Sequence, residues 1–185
     1  MKRGWTRSPY LWGVVALAAL ITAAWVLRDN AEPVVVGFEA PDFSAFDLEG
    51  GRRSVFEHRG EVILVNVWAT WCPPCLEEMP SMQRLYEEFA DDGFEILAVS
   101  VDAPYGEADA AGRPGGKLDL FADEHGLTFP ILHDPEGRVQ RVYRTTGVPE
   151  TFLIGRDGII YKKIAGGTHW DSQVNRELVQ RLLGG

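Results

Sequence analysis

Two cysteines that lie three positions apart constrain this sequence more than any other feature. Cys72 and Cys75 are the only cysteines among 185 residues, and they follow the nearly unbroken apolar run 61–68. Such a run is typical of a central strand buried on both faces. Apolar residues then recur at helical spacing as far as Phe89, which predicts a helix that begins near Cys72. Because a bridge between such close residues constrains the unfolded chain little, a purely structural disulfide is disfavoured.

The predicted position of Cys72 at the start of a helix gives it a chemical role. Backbone N–H groups at a helix N-terminus have no partners within the helix, and the helix dipole is positive there, so a thiolate is stabilised. Cys75 lies one turn further on, where it can attack a mixed disulfide formed by Cys72. Pro73 and Pro74 lack N–H groups and leave Cys75 as the first donor. A thiolate with fewer donors belongs to a reductant, with a potential nearer about −270 mV than about −120 mV.

A metal site is the main competing interpretation of this cysteine spacing, because zinc and copper sites also use it. Zinc would need two more ligands, and no two of the four histidines lie at ligand spacing: His58, His125, His133 and His169. Two thiolates can hold Cu(I), with Met79 as a neighbouring soft ligand. We therefore predict no resident metal and no cofactor besides the redox pair, with a copper relay as the non-enzyme alternative.

The N-terminal segment is typical of a membrane anchor. The run 11–27 carries no charge and has a length at the short end of the range for a spanning helix. Bases at positions 2, 3 and 7 precede it, so the positive-inside rule keeps the N-terminus in the cytoplasm and exports everything after residue 28. A cleaved signal peptide is the alternative, with small residues at 22–24, but the apolar run continues past them. Both interpretations place the rest of the chain in an oxidising compartment.

These patterns divide the chain into three parts. Residues 1–28 form the anchor or signal peptide, residues 29–40 a linker, and residues 41–185 one folded domain. The chain beyond residue 28 holds 14 bases and 27 acids, a net charge of −13. So acidic a surface repels phosphate, which excludes nucleic acids as partners.

Within the folded domain, segments typical of strands alternate with segments typical of helices. One hairpin is predicted from strands at 43–48 and 55–56 around Glu49-Gly50-Gly51, and another from strands at 151–154 and 159–161. Further strands are predicted over 94–101 and 129–132. Helices are predicted from Cys72 to Phe89 with a kink at Pro80, over 118–125, and after a cap at Asp171 with Val174, Leu178 and Leu182 facing inward. This order predicts a three-layer α/β domain.

Three stretches of the sequence resemble one family of proteins. They are Val-Asn-Val-Trp-Ala-Thr-Trp-Cys-Pro-Pro-Cys at 65–75, Glu-Glu-Met-Pro at 77–80 and Gly-Val-Pro-Glu-Thr-Phe at 147–152. Together they resemble the TlpA/ResA/CcmG family, membrane-anchored thioredoxin-like reductases of the bacterial cell envelope. The resemblance implies an α/β thioredoxin-like fold: a central mixed sheet flanked by helices, with an N-terminal hairpin and a central βα insertion that residues 94–126 would supply. It also implies one transmembrane helix before the domain.

The resemblance assigns roles to individual residues. It makes Cys72 the attacking thiol, Cys75 the resolving thiol, and Pro149 a cis-proline that lies against the disulfide and presents the Val148 backbone to the substrate. Substrate contacts are implied for Trp71, Pro73, Pro74, Val148 and Glu150.

The resemblance also makes Glu78 an acidic residue of the active site. One turn beyond Cys75, a half-buried carboxylate could take the proton of that thiol. Thioredoxin itself carries a buried Asp six residues before its first cysteine, whereas this chain has Asn66, which cannot accept a proton at neutral pH. The alternative interpretation is a solvated helix-surface residue like Glu77.

The function implied by the resemblance is reduction of protein disulfides on the periplasmic side of the bacterial cytoplasmic membrane. A membrane thiol transporter would supply the electrons. Two client classes are implied: the haem-attachment cysteines of apocytochrome c, which we favour, and cysteines that must be reduced to receive copper. A thiol peroxidase is a weaker alternative, because Ala40-Pro41-Asp42-Phe43 resembles the start of peroxiredoxins but position 69 is Ala where those enzymes carry Thr.

Overall fold

The computed structural model describes residues 9–28 and 34–184, in two compact units, Met1–Pro33 and Val34–Gly185. In the first unit, Pro9–Arg28 form helix α1. No helix among the described residues combines the length and the hydropathy needed to cross a membrane. The bases at positions 2, 3 and 7 and the first part of the linker, residues 29–33, lie outside the described residues. The anchor, its cleavage and its orientation therefore stay predictions.

The described part of the second unit is built on a seven-stranded mixed sheet. Its strands are β1 (Ser44–Asp47), β2 (Arg52–Ser54), β3 (Val62–Trp68), β4 (Phe94–Ser100), β5 (Ile131–His133), β6 (Glu150–Ile154) and β7 (Ile160–Ala165). They lie in the order β2-β1-β5-β4-β3-β6-β7. The pairs β3–β4 and β4–β5 are parallel, and the other neighbouring pairs are antiparallel. The strand predicted just before the cysteines thus lies inside the sheet, as expected.

The described helices of the second unit are α2 (Pro73–Phe89), α3 (Leu118–His125), α4 (Arg138–Tyr143) and α5 (Gln173–Leu183). α2 begins directly after Cys72, as predicted, and continues through Pro80. α3 has the predicted bounds and ends at Gly126, whose φ of 62° is a left-handed conformation that favours glycine. The sequence did not predict α4, because its six residues span too few turns to show a clear period.

Three detailed expectations were wrong. The second strand of the first hairpin is β2 rather than 55–56, because Val55 turns into the core instead of continuing the strand. The last helix begins after Ser172, and Asp171 accepts a hydrogen bond from Arg84 at 2.7 Å instead of capping it. Val174 is 70% exposed rather than inward, and Val179 is buried instead, whereas Leu178 and Leu182 pack against the core as predicted.

The sheet separates two apolar clusters, and β3 contributes to both. Val62, Leu64 and Trp68 belong to the cluster that contains the inward residues of α2, α3 and α5. The alternate residues of β3 belong to the opposite cluster, together with Tyr143 of α4 and the N-terminal hairpin. Every residue of β3 is buried, as expected of a strand covered on both faces. The three-layer arrangement is thus confirmed, and β3 leads directly to the two cysteines.

Candidate active site

The redox pair lies where the C-terminal end of β3 turns into α2. Cys72 and Cys75 form a disulfide, with Cα atoms 5.3 Å apart. Cys72 caps α2, and its sulfur accepts a hydrogen bond from the Cys75 N–H at 3.3 Å. Cys72 is 4% exposed and Cys75 is fully buried. Cys72 is therefore the sulfur that a client can reach first.

The two prolines between the cysteines occupy the first two positions of α2. Neither carries an N–H, so the Cys75 amide is the donor that reaches the Cys72 sulfur, as predicted. Both prolines are exposed beside the disulfide, where substrate contact stays a prediction. Pro74 also packs against Gly167, where an added Cβ would lie 2.9 Å from the Pro74 carbonyl oxygen. The loop after β7 thereby supports the start of α2.

Pro149 has the cis peptide bond that the resemblance implied. It directly precedes β6, whose first residue, Glu150, lies opposite Val67 of β3. This register brings the cis-proline to the same end of the sheet as the cysteines. The Pro149 carbonyl accepts a hydrogen bond from the Gly166 N–H at 2.8 Å, and Val148 packs against the cluster that contains both cysteines. Presentation of the Val148 backbone to a substrate stays a prediction.

Glu78 lies one turn beyond Cys75, and it is buried. It is 1% exposed, whereas Glu77 is exposed. The Asn66 side-chain amide donates to its Oε1 at 2.7 Å, and the Thr168 backbone N–H donates to its Oε2 at 3.3 Å. The alternative of a solvated surface residue is therefore wrong, and the expectation of a half-buried carboxylate understated its burial.

Burial raises the pKa of Glu78 to about 7, because desolvation disfavours the charged carboxylate. The hydrogen bonds from Asn66 and Thr168 act in the opposite direction, since they stabilise the charged form. The Trp170 side chain also lowers this pKa. A carboxyl group with a pKa near neutrality can both accept and return a proton.

An open cleft of about 760 Å³ lies beside the redox pair. Two predicted substrate contacts line it: Trp71, which precedes Cys72, and Val148, which precedes the cis-proline. Sequence reasoning missed Arg113, which also lines this cleft. Its guanidinium lies 3.8 Å from the centre of the Trp71 ring and is held by Asp109 at 2.6 Å. This cation–π contact ties the loop that follows β4 to the turn that carries the cysteines.

Asp102 is a second residue that sequence reasoning missed. It is fully buried just after β4, and its carboxylate accepts hydrogen bonds from the Thr70 N–H at 2.9 Å and the Thr70 hydroxyl at 2.6 Å. It also accepts from the Ser100 hydroxyl at 2.7 Å and the Gly116 N–H at 3.2 Å. These bonds fix the turn before the cysteines against the loop that lines the cleft. An acid directly after a buried strand was the sequence signal that could have indicated it.

Glu150, an implied substrate contact, is buried. It is 2% exposed, and its carboxylate pairs with Lys163 at 2.8 Å and accepts from the Thr146 N–H at 2.9 Å. The side chain therefore supports the loop before the cis-proline, which corrects the expectation that this carboxylate contacts a client. Contact through the Glu150 backbone stays a prediction.

Comparison with known proteins agrees with this geometry. Residues 36–163 match the model of the AhpC/TSA family. The chain belongs to that family. It is 40% identical over 165 residues to the thiol-disulfide oxidoreductase ResA of Geobacillus thermodenitrificans, a match that covers 89% of this chain and 87% of that protein. It is also 31% identical over 177 residues to the thioredoxin-like protein YneN of Bacillus subtilis, covering 94% of this chain and 96% of that protein.

Solved structures give the same result. The crystal structure of a thiol:disulfide interchange protein of the thioredoxin family from Chlorobium tepidum matches with a TM-score of 0.63 and 26% identity, covering 83% of this chain and 99% of that one. The fold is therefore thioredoxin-like, and the resemblance to the ResA and CcmG proteins is confirmed. With its cysteine pair at the head of α2, the protein is a thiol–disulfide oxidoreductase.

Proposed function

We propose that this protein reduces disulfides of client proteins. The Cys72 thiolate attacks a client disulfide, forms a mixed disulfide and expels one client thiolate. Cys75 then attacks the Cys72 sulfur, which forms the enzyme disulfide and expels the second client thiolate, so two electrons pass from the enzyme to the client. The observation that supports this most directly is the succession of three residues at the start of α2: Cys72, which a client can reach, and then the buried Cys75 and Glu78. In this proposal Glu78 takes the Cys75 proton.

The direction of electron flow follows from the donors around Cys72. We expect a reduction potential nearer about −270 mV than about −120 mV, because one amide rather than several reaches this sulfur. Equilibration with dithiothreitol or glutathione couples measures it. Pro74→Ala restores a backbone N–H at the second helical position, where it can donate to the Cys72 sulfur that caps the helix. This second donor should raise the reduction potential by about 30 mV or more.

Pro73→Ala is the matched control for this measurement. The N–H at the first helical position does not point at the capping side chain, so the potential should change less than in Pro74→Ala. A wild-type reduction potential of about −120 mV would show that the protein is an oxidant.

We further propose that the clients are the haem-attachment cysteines of apocytochrome c, met on the periplasmic side of the membrane, with a membrane thiol transporter as the electron donor. The support is the family resemblance, together with 40% identity to a protein named ResA. Copper-site proteins stay the alternative clients, and a copper relay stays the alternative function. Among the described residues, no three His, Cys, Asp or Glu side chains are grouped to hold a metal ion.

The proposed location depends on the N-terminal segment. We expect the segment to remain attached, because the apolar run continues three residues past the small-residue site at 22–24. N-terminal sequencing of protein extracted from membranes should give the sequence from Met1 or Lys2. A mature chain that begins at Trp25 would rule out the anchor and leave the compartment unchanged.

A further inference from the structure

Asn66 lies against Glu78, and its side-chain amide is hydrogen-bonded through its nitrogen. The residue is fully buried on β3. Its Nδ2 donates to Glu78 Oε1 at 2.7 Å and to Thr151 Oγ1 at 2.8 Å. Its Oδ1 is buried and has no hydrogen-bond partner among the described residues. A buried carbonyl oxygen without a partner costs free energy, so its presence beside a titrating carboxyl group requires a physical reason.

The shape of the amide supplies that reason. Its oxygen and nitrogen are nearly interchangeable in size, so a half-turn of the amide places Oδ1 where Nδ2 lies now. In that orientation Oδ1 accepts a hydrogen bond from a protonated Glu78 and another from the Thr151 hydroxyl, which can donate as well as accept. The same contacts therefore form with opposite polarity. Each orientation satisfies one protonation state of Glu78 and leaves one end of the amide without a partner.

We propose that Asn66 is a positioning residue whose amide reverses with the protonation state of Glu78. Its N–H holds the carboxylate ready to accept the Cys75 proton, and its carbonyl accepts a hydrogen bond from the carboxylic acid that results. When Glu78 passes this proton to the expelled client thiolate or to water, the amide turns back. The inference rests on the proposed function, in which Glu78 receives the Cys75 proton.

Among the described residues, no charged side chain acts on the Glu78 carboxyl group, so we assign the response to its protonation to Asn66. Burial and N–H donors set the pKa of Glu78, and no charged side chain among the described residues contributes to it. Cys75 lies one turn away on the same helix. On the neighbouring strands Glu150 pairs with Lys163, and Lys162 donates to the Asn175 side chain. His169, on the loop that also holds Thr168, is exposed to solvent.

Nuclear magnetic resonance on the isotopically labelled full chain in its disulfide form tests the reversal without any mutation. As the pH falls through the Glu78 midpoint near 7, we expect the Asn66 Nδ2 protons to lose their contacts with Glu78 and Thr151. The chemical shift of the Glu78 carboxyl carbon reports the midpoint in the same samples. Contacts that persist unchanged on both sides of that midpoint would overturn the proposal.

Asn66→Leu tests the consequence for the reaction. Losing the donor to the carboxylate should move the midpoint for release of the mixed disulfide upward by about one pH unit. Release at pH 7 should then slow by about three- to tenfold and recover at higher pH. Gln83→Leu is the matched control, because Gln83 is a buried polar residue of the same helix whose side chain donates to Glu87 and Thr128 rather than to Glu78. Its midpoint should stay in place.

The outcomes separate this inference from the function on which it rests. A rate that falls equally at every pH in Asn66→Leu would give Asn66 a packing role and overturn the inference alone. A Glu78→Gln variant with normal release would instead contradict the proposed role of Glu78. The spectroscopic result stands in either case, because it uses the wild-type protein.

Discussion

Replacing Cys75 with serine should convert this protein from a catalyst into a trap for its clients. Cys72, the more exposed sulfur at the helix start, would still attack a client disulfide. A serine hydroxyl cannot resolve the mixed disulfide that results, because it is not a thiolate nucleophile. We expect multiple turnover of a protein disulfide to fall by at least about a thousandfold while the covalent adduct accumulates. Non-reducing electrophoresis and single-turnover kinetics measure both effects.

Cys72→Ser is the matched control for the trap. It keeps Cys75, which is fully buried, so it should form adducts far more slowly and lose turnover as completely. Adducts that form faster in Cys72→Ser than in Cys75→Ser would reverse the assignment of the two thiols. A double serine variant should form no adduct.

The trap also distinguishes the proposed client classes. Mass spectrometry of adducts formed in living cells should identify peptides joined to Cys72. Haem-attachment cysteines of apocytochrome c are expected if the protein acts in cytochrome c maturation. Cysteines of copper-site proteins would instead support the alternative clients.

Replacing Glu78 with glutamine should slow the second half of the reaction selectively. Cys75 is fully buried, and desolvation raises the pKa of a thiol, so a proton acceptor is needed for its attack. Glutamine keeps the size of the side chain but accepts no proton. We expect release of the mixed disulfide at pH 7.5 to fall by about a hundredfold, with its formation by Cys72 much less affected. Stopped-flow measurement of both phases with a small disulfide substrate checks this.

The pH dependence of release gives a sharper test. Because the pKa of Glu78 is raised to about 7, the wild-type rate should fall as the pH drops through this value and the base becomes protonated. Glu78→Gln should lose this inflection. Glu77→Gln is the matched control, since Glu77 is an exposed neighbour on the same helix, and it should keep both the rate and the inflection. An unchanged profile in Glu78→Gln would remove Glu78 from the mechanism.

The same substitution should change the stability of the fold in a direction that the pKa determines. The folded protein holds the Glu78 proton more tightly than the unfolded chain, in which the pKa lies near 4.5, so the wild type loses stability as the pH rises from about 4.5 to about 7. Glutamine removes this loss. At pH 8 the free energy of unfolding should be higher in Glu78→Gln by up to about 3 kcal/mol, measured by denaturant titration.

Local sequence determined the parts of this protein that depend on neighbours along the chain. The apolar run before Cys72 predicted β3, and helical spacing after it predicted α2, because periodicity reports which faces are buried. The absence of N–H groups at the two prolines predicted the single amide at the Cys72 sulfur. The cis peptide bond before Pro149 was predicted from the family resemblance, since few X–Pro bonds are cis and sequence spacing alone does not reveal one.

Tertiary structure decided the properties that depend on residues distant in the chain. Sequence spacing placed Glu78 near Cys75, but its burial depends on β3, β6 and the loop after β7, which supply Asn66, Thr151 and Thr168 around it. The position of Asp102 after a buried strand was visible in the sequence, but its role was not, because its partner Thr70 lies 32 residues earlier and is brought to it by the parallel pairing of β3 with β4. The solvation of a carboxylate depends on every element packed around it, whereas the hydrophobic pattern of a strand or helix describes only that element.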